Sequence, residues 1–181
     1  MKRLKTCKTL TAVCMAFCLV MSVLSMAEPH LQTVEAKSPK FKTCKVKRMD
    51  FIGDISDIPA TFTQKDLFVE RNDKVWHESR FKFKIPKDSW VCFGGRYANT
   101  MEEGLQTHVR IYSDRKCTRL VGEYGWGYWE YDKSFKGVLK QGIYYGKAAS
   151  RYANFGDFEG DVVVLAARMP EGRARELGLL E

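Results

Sequence analysis

Apolar and charged residues alternate one by one through Phe81-Lys82-Phe83-Lys84-Ile85, so an extended chain there turns one face to a core and the other to water. Pro86 ends that run, and Trp90-Val91-Cys92-Phe93 follows, with Gly94-Gly95 as its stop. The alternation returns in His108-Val109-Arg110-Ile111-Tyr112, after which Ser113-Asp114-Arg115-Lys116 has the composition of a hairpin turn and Cys117 to Tyr124 that of the return strand. Gly142-Ile143-Tyr144-Tyr145 is a further strand. Val162-Val163-Val164-Leu165-Ala166-Ala167 is apolar without a break, which suits a strand in the middle of a sheet, covered on both sides. Helix-forming composition is confined to the tail, 171–181, where Gly172 and Gly178 weaken it. Short strands with polar turns and no amphipathic helices between them predict an antiparallel β-sandwich of about seven or eight strands over residues 49–170.

The chain before that body has a different pattern. Lys2, Arg3, Lys5 and Lys8 precede an uncharged, mostly apolar run from Thr9 to Ala27, the order of a secretory signal peptide. Small residues allow cleavage after Ala27 or after Ala36, and the polar stretch with Glu28, Pro29 and Glu35 favours the second, so the signal is taken as residues 1–36. An uncleaved anchor is the alternative, because the run approaches the roughly 17–25 residues that span a bilayer. Cys14 and Cys18 follow Val13 and Phe17 rather than small residues, which argues against a lipid-attachment site.

Charge adds little to the reading of the body. Of 30 Lys and Arg, four lie in the signal and six (Lys37, Lys40, Lys42, Lys45, Lys47, Arg48) crowd a basic arm at 37–48. From Met49 onward basic and acidic residues balance, which gives no reason to invoke nucleic acid. The arm itself suits association with an anionic cell wall or membrane surface through Coulomb attraction, or is simply a solvated leader.

The segments "FKFKIPKDSWVCF", "HVRIYSDRKCTRLV", "LKQGIYYGKA" and "DVVVLAA", in that order, resemble the secreted bacterial pre-peptidase C-terminal domain. Ile111-Tyr112-Ser113-Asp114 and Gly142-Ile143-Tyr144-Tyr145 stand where that family has "LYDSNG"-like and "GTYYI"-like strands, and the likeness covers roughly residues 78–168. It implies a jelly-roll-like sandwich serving as an accessory module of secreted proteases or surface proteins, some with calcium or collagen affinity. No protease accompanies it in these 181 residues.

Catalytic signatures are missing: there is no GxSxG, HExxH or CxxC, and His77 and His108 neighbour no nucleophile in a recognisable arrangement. Calcium is the one cofactor left open, at Asp157, Glu159 and Asp161 or at Asp50, Asp54 and Asp57, although such residues with Gly156 and Gly160 suit any exposed turn. Cys92 and Cys117 fall in expected strands and either pair on neighbouring strands or remain two buried thiols, with Cys44 spare in the arm. Tyr124-Gly125-Trp126-Gly127-Tyr128-Trp129-Glu130-Tyr131 is the expected ligand platform: Trp126 and Tyr128 face one way, Trp129 and Tyr131 the other, and an aromatic pair left outside a core suits sugar rings or extended protein chains. The sequence therefore predicts an exported, non-catalytic module at or beyond the cell surface, binding a carbohydrate or matrix-type protein. A small secreted hydrolase with a site assembled from scattered residues is the alternative.

Overall fold

Ten strands and one short helix make up the described part of the computed structural model, residues 40–100, 104–127, 133–152 and 156–180. In chain order they are β1 (Lys42–Cys44), β2 (Lys47–Arg48), β3 (Ala60–Val69), β4 (His77–Ile85), β5 (Ser89–Ala98), β6 (Leu105–Tyr112), β7 (Leu120–Gly127), β8 (Phe135–Leu139), β9 (Gly142–Tyr152), β10 (Phe158–Pro170) and α1 (Glu171–Glu176). The signal, its cleavage sites and the anchor alternative fall outside the described residues. Among those described, no helix is long and apolar enough to cross a membrane.

Two five-stranded sheets result. The first has the order β1-β4-β9-β6-β7; the second has β2-β10-β5-β8, with β3 also paired to β10. The eight longer strands pair in a nested series, β3 with β10, β4 with β9, β5 with β8 and β6 with β7, all antiparallel. Cross-pairs β5–β10 and β6–β9 close each sheet. A long hairpin rolled in this way is the jelly-roll sandwich.

The basic stretch at 37–48 departs from the expected solvated arm. Its β1 pairs parallel with β4 and its β2 parallel with β10, so a few residues run from the edge of one sheet to the other. Val46, between them, is 4% exposed and lies in the core.

That core fills the space between the sheets because alternate residues of β4, β5, β6 and β9 point inward. Phe81, Phe83, Val91, Phe93, Val109, Ile111 and Tyr144 meet there, with Phe62 stacked on Phe81 at 5.0 Å and Phe83 on Tyr144 at 5.6 Å. Gly94-Gly95 does not stop β5. The strand continues to Ala98, and both glycines are needed for close approach: a Cβ at Gly94 would stand 2.1 Å from Ile55, and one at Gly95 2.3 Å from the Trp126 ring. The expected central position of the Val162 to Ala167 run is found: β10 lies between β3 and β5 and buries both its faces.

Turns are held by carboxylates. Asp54 accepts the Ser56 N–H at 2.9 Å while Asp57 accepts that of Asp54 at 3.2 Å, capping the 3-10 turn Ile55–Asp57. Asp88 accepts the Gln141 N–H at 2.7 Å, and Asp114 that of Arg119 at 2.6 Å. Backbone donation is the first cause holding Asp54, Asp73, Asp88 and Asp114 below the ordinary carboxylate range. Since the folded values are the lower ones, their contribution is present above the unfolded value, about 3.9, and lost as pH falls through the folded values. The melting temperature should therefore hold near neutrality and drop below about pH 4. Asp114→Asn should flatten that drop in thermal melts across pH.

Candidate functional site

The residues singled out in the sequence separate in the fold. Trp126 is 8% exposed and packed inward, with its ring 5.8 Å from Tyr97 and 6.1 Å from Tyr124, so the structure places it in the core and not on an exposed face. The glycine at position 95 leaves the space it occupies. Tyr128, Trp129 and Tyr131 lie outside the described residues.

The three carboxylates considered for calcium have separate partners. Asp157 accepts the Arg71 N–H at 2.7 Å, while Glu159 is exposed on β10. Asp161, 7% exposed, takes the Asp66 N–H and the Asn99 side-chain amide, both at 3.0 Å. Asp66 and Asn99 have φ of 52° and 54°, so Asp161 pins two left-handed residues where β3 and β10 slip register. Asp50 instead pairs with Arg48 at 3.4 Å, and Asp54 and Asp57 cap their turn. Among the described residues no three His, Cys, Asp or Glu side chains converge as metal ligands would.

The expected neighbourhood of Cys92 and Cys117 is also not found. Cys92 is in β5 and buried on the outer side of the second sheet, whereas Cys117, at φ 56°, lies in the turn between β6 and β7 of the first sheet. Both are free thiols, as is Cys44. The sequence placed Cys117 on a strand because Cys117 to Tyr124 has strand composition, but the strand begins only at Leu120. Burial is the first cause raising each of the three thiols above its ordinary value.

His77 is 2.6 Å from Asp73, and the second imidazole, His108, is 3.3 Å from Glu123. Burial, reinforced by Arg110, pushes His108 below its ordinary value against the pull of Glu123.

The two outer faces of the sandwich differ in kind. On the second sheet Trp90, Cys92, Val163, Leu165, Ala167 and Met169 form a second apolar cluster with Ile58 and Ala174. The chain covers that cluster itself, with Met49, Ile52 and Ile55 from the segment before β3 and Leu177 and Leu180 after α1. A cavity of about 390 Å³ remains there, with Trp90 and Cys92 in its wall.

The outer face of the first sheet is polar and basic. The residues of β4 that alternate with Phe81, Phe83 and Ile85 are Glu78, Arg80, Lys82 and Lys84; β9 contributes Tyr145, Lys147 and Arg151, and β6 His108, Arg110 and Tyr112. Six cations therefore share the face with two carboxylates, Glu78 on β4 and Glu123 on β7. In register, Arg110 stands opposite Lys147 and Lys147 opposite Arg80, a row of three cations across three strands. Glu78 bonds Arg80 at 2.6 Å and reaches Lys147 at 3.6 Å, and Glu123 lies 3.3 Å from Arg110. The next row is Lys82, Tyr145 and Tyr112. Cations lie over rings here: Lys147 is 5.8 Å from the Tyr112 centroid and Arg151 4.6 Å from that of Trp76. Sequence reading assigned Lys82, Lys84 and Arg110 to the water side of their strands but had no means of placing Lys147 and Arg80 beside them.

Neither a protein-family model nor a curated protein matches this chain. Among solved structures, the fold is similar to the pre-peptidase C-terminal domain of a collagenase from Bacillus anthracis, with a TM-score of 0.40 and 12% identity, covering 70% of this chain and 97% of that one.

Proposed function

We propose that this protein is an exported, non-catalytic binding module for an extracellular polymer or surface protein, and that its ligand surface is the outer face of the sheet β1-β4-β9-β6-β7. The observation that carries the reading is the difference between the two outer faces. One has apolar side chains and is covered by the chain's own flanking segments. The other carries a dense set of long donors and rings, from buried Tyr112 and half-buried Lys82 and Lys147 to exposed Lys84 and Arg110. A sheet face of this kind gives a rigid, flat array on which contact residues need little ordering on binding. Export rests on the basic-then-apolar N-terminal pattern.

The test is a panel of glycans and matrix proteins probed with the purified chain, followed by lysine acylation of the complex read by peptide mass spectrometry. Bound ligand should protect Lys82, Lys84 and Lys147. Lys136 and Lys140, on and beside β8 of the other sheet, should react as in the free protein. Protection at Lys136 and Lys140 in place of the first three would overturn the assignment.

A further inference from the structure

Resting on that choice of face, we infer that its ligand is an acidic polysaccharide, bearing carboxylates or sulfates, laid across strands β4, β9 and β6.

The first argument is the register. Neighbouring strands lie about 4.7–4.9 Å apart, so Arg80, Lys147 and Arg110 span on the order of 10 Å in one row. Like charges directly opposite one another on a sheet are destabilising. The two carboxylates compensate only in part: Glu78 is shared between Arg80 and Lys147 and Glu123 pairs with Arg110, which leaves three cations in the row against two carboxylates. Lys82 and Lys84 extend the charge along β4, and neither has an ion-pair partner among the described residues. A row of surplus cations held at fixed spacing by a sheet is complementary to anions repeated along a polymer, and a ligand carrying them removes the repulsion that the free protein bears.

The rings give the second argument. Tyr112 is 8% exposed beneath Lys147, Tyr145 packs edge-on against Phe41 at 5.1 Å, and Trp76 is overlaid by Arg151. Single-stranded nucleic acid is read on open ring faces that stack successive bases. Tyr112 and Tyr145 are lidded or wedged, and Trp76, 39% exposed, already carries Arg151 over its ring, so what the face offers outward is mainly ammonium and guanidinium donors, which suit a chain rich in charge and hydroxyl groups with no base to stack. Arg110, half exposed, is the most open cation of the row. Lys147 and Arg80 are less exposed, so a ligand reaches them by lying flat on the sheet.

Calorimetric titration of the purified chain tests this with five probes: polygalacturonate, its fully methyl-esterified form, chondroitin sulfate, single-stranded DNA and phosphatidylserine vesicles. One or both acidic polysaccharides should bind best, and more than tenfold more weakly when salt rises from 50 to 300 mM, while the methyl ester binds at least tenfold less. Arg110→Gln, Lys147→Gln and the stronger Lys147→Glu should each lower that affinity severalfold with melting temperature within a few degrees of the parent, and Lys136→Glu on the other sheet should not. If the face variants abolish binding of polysaccharide whether or not it is esterified, the face is right and the acidic ligand is wrong. If acidic polysaccharide binds and no face variant changes it, the face itself is wrong. Tighter binding of DNA or vesicles, or no binding of any probe, overturns the ligand class.

Discussion

Replacing Trp126 by alanine is expected to cost about 3–5 kcal/mol of folding stability, the range for removing a large buried aromatic side chain. The indole fills the notch that Gly95 leaves in β5 and touches the rings of Tyr97 and Tyr124, so truncation opens a cavity between the two sheets. Trp126→Phe should cost much less. The indole nitrogen is buried with no hydrogen-bond partner, and phenylalanine removes that stranded donor while keeping most of the ring contact. Urea unfolding of the parent and both variants measures the difference. An alanine variant that lost ligand but kept the parent's midpoint would show instead that Trp126 acts at the surface.

Much of the sandwich was legible because a strand exposes its two faces with period two. That signal is strong in β4 and β6 and, as a continuous apolar run, in β10, while β9 was marked only by its first residues, Gly142 to Tyr145. It failed at β3 for a local reason. Phe62 points inward at an even position, yet Leu67 and Val69 point inward at odd ones, because Asp66 takes a left-handed conformation and Asp161 holds the resulting slip in place. The phase change erases the alternation when the strand is read as one segment. Strand β8 is five residues long with Gly137 at its centre, too little pattern to register. The basic face was hidden for another reason: its row joins residues 80, 110 and 147, and which of them stand opposite is decided by register between strands far apart in sequence. Alternation tells which residues meet water, not which meet each other.

The lysine-rich stretch before Met49 provides the other large effect, and it separates two physical roles for the same residues. Read as charge, it is an arm awaiting an anionic surface; in the fold it is a strap. Its β1 lies along the edge of β4 and its β2 along β10, with Met49 donating on to the Arg168 carbonyl at 2.9 Å. Cys44 packs against the core, Lys42 stands 5.5 Å over the Phe62 ring, and Val46 enters the core between the sheets. Val46→Asp is expected to cost about 3–5 kcal/mol, since it leaves an unpaired carboxylate among apolar side chains. Lys45→Gln and Lys47→Gln, both exposed, should stay within about 0.5 kcal/mol of the parent. Removing the strap would also bare the edge of β4, a template for pairing with a second chain. Denaturant titrations combined with light scattering should thus find the Val46→Asp protein less stable and prone to self-association. If the two glutamine variants are the destabilised ones and Val46→Asp is not, charge and not packing is what the stretch contributes.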